Sequence, residues 1–104
     1  MTQRVVDAIA QLRELRILRV GHSGVDAAAL KVWASSMKKL ERLGLENCVR
    51  IDDSAVAGIE GWPTLKQVDL QGTRVTAERI NQLRRSRPDL KVLGSGPTPS
   101  VSGD

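Results

Sequence analysis

Aromatic side chains are almost missing from this 104-residue chain: two tryptophans, Trp33 and Trp62, and no phenylalanine or tyrosine. A core built without them has to be aliphatic, and stacking platforms for nucleobases are scarce. One cysteine, Cys48, excludes an internal disulfide framework and any multi-cysteine zinc site. One histidine, His22, excludes a two-histidine metal centre. It would also have to serve alone in any catalytic triad. No apolar run approaches the length of a membrane span, so none is expected. Sixteen basic against twelve acidic residues give a charge of +4, mildly basic and well short of a polycationic arm. The length allows one domain.

What the chain has instead is repetition. LRILRV (15–20), LERLGL (40–45) and LKQVDL (65–70) begin 25 residues apart, and LKVL (90–93) opens a fourth unit at that spacing. A second apolar set follows each: Val25, Leu30, Trp33; then Ile51, Val56, Ile59; then Val75, Ile80, Leu83. The middle turn is one residue longer and the segment after it one shorter, so the period survives. Alternation at Leu18 and Val20, Leu43 and Leu45, Val68 and Leu70 has the period of a half-buried strand. The second set, at i, i+5 and i+8, marks one stripe of a short helix. Asp26, Asp52 and Thr76 each follow the first residue of that set, where an N-cap acceptor belongs. Pro63 and Pro88 close the helical parts at matched places.

A strand-turn-helix unit of this size cannot bury its own apolar stripe. Stacked copies can, with the strands in one parallel sheet and the helices on the other side. The pattern resembles leucine-rich repeats, and more narrowly the cysteine-containing class found in F-box substrate receptors. Residues 40–65 fit that class nearly position by position, with Cys48 at its cysteine, Ile51-Asp52-Asp53 at its I-T-D and Pro63 at its proline. Thr73 and Ser23 stand at the cysteine position in the units on either side. No F-box fits ahead of residue 15, so a ligase role would need another chain.

The resemblance implies an α/β fold: a short right-handed leucine-rich-repeat solenoid with its parallel sheet on the concave face and its helices on the convex face. The expected division is an N-terminal capping helix or half-repeat over 1–14, then repeats over 15–39, 40–64, 65–89 and a partial 90–93. A disordered tail is expected over 94–104, where Gly, Ser and Pro dominate. Val5, Ile9 and Leu12 are expected on one face of the first helix. That helix, amphipathic and arginine-bearing, can also be read as an import signal, a reading that Asp7 and Glu14 oppose. The expected setting is intracellular and cytoplasmic, with mitochondrial import as the alternative.

Cys48, at a tight turn with Ser23 and Thr73 as its equivalents, reads as packing rather than as a reactive thiol. His22 reads as a turn residue, since no nucleophile elbow, glycine-rich phosphate loop or carboxylate pair accompanies it. Trp33 falls on the core stripe, and Trp62 reads as core or rim packing, with a partner anchor as the alternative. No catalytic residue, metal ligand or cofactor is therefore expected, and the chain reads as a non-enzyme.

The strand positions pointing away from the core form two columns: Ile17, Arg42, Gln67 and Val92, and Arg19, Gly44, Asp69 and Gly94, with Glu46 and Gln71 on the rim. The partner-binding expectation rests on Ile17, Arg19, Arg42, Glu46, Gln67, Asp69 and Gln71, for a polar protein partner. The chain would then be an adaptor, or an assembly factor or peripheral subunit of a large complex. A competing basic patch at Arg84, Arg85 and Arg87 would touch ribonucleoprotein, although cations are favoured at a helix end without any ligand. An uncovered last strand would invite self-association.

Overall fold

The computed structural model describes residues 2–94. Four helices and four strands alternate along it: α1 (Gln3–Ala10), β1 (Ile17–Arg19), α2 (Ala27–Ser36), β2 (Arg42–Gly44), α3 (Asp53–Glu60), β3 (Gln67–Leu70), α4 (Ala77–Ser86) and β4 (Lys91–Gly94). The strands form one sheet in the order β1-β2-β3-β4, every pair parallel. The fold is α/β, with successive helices packed on one another and a single core, aliphatic apart from Trp33 and Trp62, between helices and sheet. No helix among the described residues is long and apolar enough to cross a membrane.

The 25-residue spacing becomes register. Ile17 pairs with Arg42 and Arg42 with Gln67, so Leu18, Leu43 and Val68 share one buried row. The apolar stripes of α2, α3 and α4 are buried as the spacing predicts. Asp26, Asp52 and Thr76 are the N-caps, accepting from the backbone N–H groups of Ala29, Ser54 and Arg79. Each of these bonds satisfies a donor that the first helical turn leaves free.

Between strand and helix the chain turns through the left-handed region at His22 (φ 61°), Asn47 (φ 61°) and Gly72 (φ 74°), again 25 residues apart. Gly72 has a steric reason as well, because a Cβ there would collide with the Asn47 amide oxygen. Ser23, Cys48 and Thr73 follow in these turns. Ser23 and Thr73 donate back to the carbonyls of Val20 and Leu70, and the Cys48 thiol reaches the Val20 carbonyl at 3.1 Å. Cys48 is fully buried, so its place in the turn is a packing one.

A third column ties the units together. Met37, Trp62 and Arg87 are also 25 residues apart. The Trp62 indole N–H donates to the Met37 carbonyl at 3.1 Å, and an Arg87 guanidinium N–H donates to the Trp62 carbonyl at 3.1 Å. Trp62 is fully buried and anchors no external partner. Trp33, also fully buried, donates to the Val6 carbonyl at 3.0 Å and so holds α1 against α2.

Two expectations need correction here. The fourth strand is out of the 25-residue phase by one: Val68 pairs with Val92 and Asp69 with Leu93. Val92 is therefore a core residue, and Lys91 takes the outward place beside Gln67. The shift puts Gly94 opposite Leu70 on the inward row. A Cβ there would come within 2.7 Å of Ile80 Cδ1, so the Ile80 side chain already fills that space. Gly94 thus belongs to β4 rather than to the expected tail, whose remaining residues, 95–104, lie outside the described residues.

The second correction concerns α1. The helix ends at Ala10, short of Leu12, and turns Val6 and Ala10 inward, while Val5 and Leu12 are 42% and 51% exposed. The Trp33 bond to the Val6 carbonyl fixes that rotation.

Between α3 and α4, the Glu60 carboxylate accepts from Arg79 at 2.6 Å and from the Ser86 hydroxyl at 2.7 Å. The Arg79 guanidinium, followed by Ser86, holds its carboxyl below the ordinary value of 4.5. A depressed carboxyl contributes stability that is complete above the unfolded value and is lost as pH falls through the folded one. Urea titrations at neutral pH and at about pH 3 are expected to show a smaller acid loss for Glu60→Gln than for the natural chain. Equal losses would mean that the Glu60 contacts contribute nothing to acid sensitivity.

Candidate functional site

On the sheet face turned away from the helices, strand side chains alternate outward and line a groove of about 270 Å³. Its lining includes Ile17, Arg19, Arg42, Glu46, Gln67 and Asp69, six of the seven residues singled out from the sequence. Gln71 does not line it. Its backbone N–H caps the Asp69 carboxylate at 3.0 Å, and its carbonyl accepts from Asn47. Leu93 joins the lining where Gly94 was expected, a consequence of the shifted register.

The groove carries charges of both signs. Arg19 and Arg42 come from β1 and β2, Asp69 from β3, and Glu46 follows β2. The four ion pairs among the described residues are Arg16–Glu41, Lys39–Glu14, Arg79–Glu60 and Arg87–Asp89, so none of the groove's charges is in an ion pair among them. Strand geometry explains this. Adjacent strands place their outward side chains about 4.8 Å apart, but the equivalent positions hold Arg19 beside Gly44 and Ile17 beside Arg42 rather than opposite charges.

Glu46 lies back across two glycines. A Cβ at Gly21 would come within 2.6 Å of Glu46 Cδ, and one at Gly44 within 2.9 Å of Glu46 Oε1. Glycine at both places leaves room for the carboxylate. Its Oε1 is shut off from solvent and accepts no hydrogen bond within the described residues. An unsatisfied buried acceptor of this kind costs about 1–3 kcal/mol. His22 and Asn47 stand nearby at the strand ends, with the imidazole Nε2 3.3 Å from the Asn47 side-chain nitrogen. No group of three or more His, Cys, Asp or Glu residues among the described residues could hold a metal ion.

The arginines at the end of α4 are unequally engaged, Arg84 and Arg85 being exposed and Arg87 largely covered. Arg84 donates to the Val92 carbonyl at 2.9 Å. Arg87, only 14% exposed, donates to the carbonyls of Glu60, Trp62 and Leu65 and pairs with Asp89. Of the three, Arg85 alone is without a hydrogen bond among the described residues.

What sequence reasoning missed is a second basic area at the rim where the strands begin. Arg16, Lys38, Lys39 and Lys66 line a hollow of about 320 Å³ with Glu41, Pro63 and Thr64. Arg13, Glu14, Ser35, Ser36 and the same two lysines line a hollow of about 360 Å³. These cations are scattered along the chain, so no local run announces them.

No family model matches the chain. It is 31% identical over 98 residues to a Caenorhabditis elegans protein named "Putative RNA-binding protein EEED8.10". The match covers 93% of this chain but only 12% of that protein's length.

Proposed function

We propose that this chain is a non-catalytic binding module, a short leucine-rich-repeat solenoid that presents its open strand face to a protein partner. The observation that carries this reading is the groove itself: Arg19, Arg42, Glu46 and Asp69 meet on one rigid sheet face without neutralising one another. Such a face suits a polar polypeptide carrying charges of both signs. Electrostatic complementarity of this kind supplies orientation and specificity. The recurrence of strand register and left-handed turns every 25 residues, with N-caps at steps of 26 and 24, supports the solenoid reading.

The test is affinity capture from a native extract with the natural chain and with the triple charge reversal Arg19→Glu, Arg42→Glu, Asp69→Lys. The natural chain should retain a defined set of proteins in nuclease-treated extract, and the triple variant, folded by circular dichroism, should lose them. Equal retention by both would remove the groove from the account.

RNA contact is the second reading. Its support is the name of the C. elegans relative and the excess of cations on this chain. Capture that disappears with nuclease would favour it over the first.

A further inference from the structure

The second reading leaves open which surface would meet RNA. The expected patch at the end of α4 is poorly placed for it, because Arg84 and Arg87 are engaged with backbone carbonyls of their own chain. Resting on that reading, we infer that the strand-start rim, through Arg13, Arg16, Lys38, Lys39 and Lys66, is a phosphate-binding surface for double-stranded RNA.

Two adjoining hollows share Lys38 and Lys39, so the five cations form one continuous area. Only two carboxylates lie within it, each already in an ion pair. Glu14 is 2.7 Å from Lys39 and Glu41 is 2.9 Å from Arg16. Arg13, Lys38 and Lys66 have no ion-pair partner among the described residues. Arg16 and Lys39 remain 67% and 52% exposed despite theirs, and exposed pairs of this kind are easily exchanged.

The fold holds these cations in place. Lys38 and Lys39 follow the last turn of α2, where free helix carbonyls favour positive charge. Arg16 and Lys66 stand just ahead of β1 and β3, two strand spacings or about 10 Å apart. At the opposite rim, where helices begin, the acids Asp26, Asp52, Asp53 and Glu78 gather instead. Arg74 stands beside Asp52 at that rim, whereas the strand-start hollows hold five cations against two paired carboxylates, an excess that attracts a polyanion.

The choice of duplex over single strand follows from the aromatics. Both tryptophans are fully buried, and there is no phenylalanine or tyrosine, so the large aromatic platforms on which unpaired bases stack are absent and only His22 and arginine planes could substitute. What remains is contact with backbone phosphates, the mode in which double-stranded RNA is recognised. The Ser36 hydroxyl lies among the cations, whereas that of Thr64 is taken up by the Leu40 carbonyl at 2.9 Å.

The experiment is fluorescence anisotropy with a labelled 20-base-pair RNA duplex and with labelled oligouridine, across a salt series. The proteins are the natural chain, Lys38→Gln/Lys66→Gln, and Arg85→Gln as a control on α4. The duplex should bind the natural chain more tightly than oligouridine does. In the double variant the slope of log affinity against log salt should fall by about 2, one for each phosphate contact removed. Arg85→Gln should leave that slope unchanged. If the natural chain binds the duplex and the double variant keeps its slope, the rim is wrong and the RNA reading stands. If the natural chain binds neither RNA, the RNA reading itself falls and the rim assignment falls with it. Tighter binding of oligouridine overturns the choice of duplex.

Discussion

Trp62→Ala is expected to destabilise the chain by about 4–8 kcal/mol, among the largest single-residue effects in the molecule. The side chain is fully buried between units and its indole N–H satisfies the Met37 carbonyl. Truncating a buried tryptophan costs about 3–5 kcal/mol through lost burial and the cavity left behind. The orphaned carbonyl adds about 1–3 kcal/mol unless water reaches it. A domain of this size has about 5–15 kcal/mol in total, so the loss is a large fraction of it and at the lower end all of it. Trp62→Phe separates the two contributions, since it keeps most of the ring packing and loses the donor. It should cost about 1–2 kcal/mol beyond the loss of ring area. Urea denaturation followed by circular dichroism measures both. A Trp62→Ala chain with a midpoint close to the natural one would mean that the indole is not the joint it is taken to be.

Arg87→Met is expected to destabilise the chain by about 3 kcal/mol, a large effect for an arginine near a helix end. The guanidinium bridges α4 to the segment before β3 through the Glu60, Trp62 and Leu65 carbonyls, at 3.0–3.1 Å. Charge-assisted bonds to carbonyls are worth more than neutral ones, and removing the donor strands three acceptors at once. Methionine retains the apolar stem, so the loss reports the fork rather than the packing. Arg87→Lys should recover only part of it, because an ammonium cannot reach three acceptors in the guanidinium plane. Arg85→Met, on the exposed side of α4, should stay within about 0.5 kcal/mol of the natural chain. Comparable midpoints for Arg87→Met and Arg85→Met would restore the α4 arginines as a free basic patch.

Trp62 and Arg87 also mark the boundary of what could be read from sequence. The strand and helix apolar sets, the three N-caps and the Ser23/Cys48/Thr73 turns were legible because each is a residue type with a local physical role, repeated at a spacing of 25 give or take one. The Met37/Trp62/Arg87 column has the same spacing but three unlike side chains. A common acceptor, the preceding unit's carbonyl, unites the last two, and a carbonyl leaves no mark on sequence. A run of arginines at a helix end accordingly looked like a free surface while two of its members were structural.

The slip at β4 escaped for a different reason. In LKVLG, Leu90, Val92 and Leu93 are all apolar, so either parity places a hydrophobe in the core. The Ile80 side chain occupies the space above Gly94 and so suits the observed register. The groove, by contrast, was largely visible, because outward strand positions follow directly from the inward ones. The strand-start rim was not, because Arg13, Arg16, Lys38, Lys39 and Lys66 come together only when three units stack.

The central claim is that a polypeptide partner sits on the open strand face. The measurement that tests it most directly is site-specific photo-crosslinking in native extract, with a photoreactive residue at Gln67 in the groove and, separately, at Gln82 on α4. The account predicts a discrete protein adduct from Gln67 that survives nuclease treatment, and none from Gln82. Adducts from Gln82 alone, or a Gln67 adduct that nuclease abolishes, would contradict it.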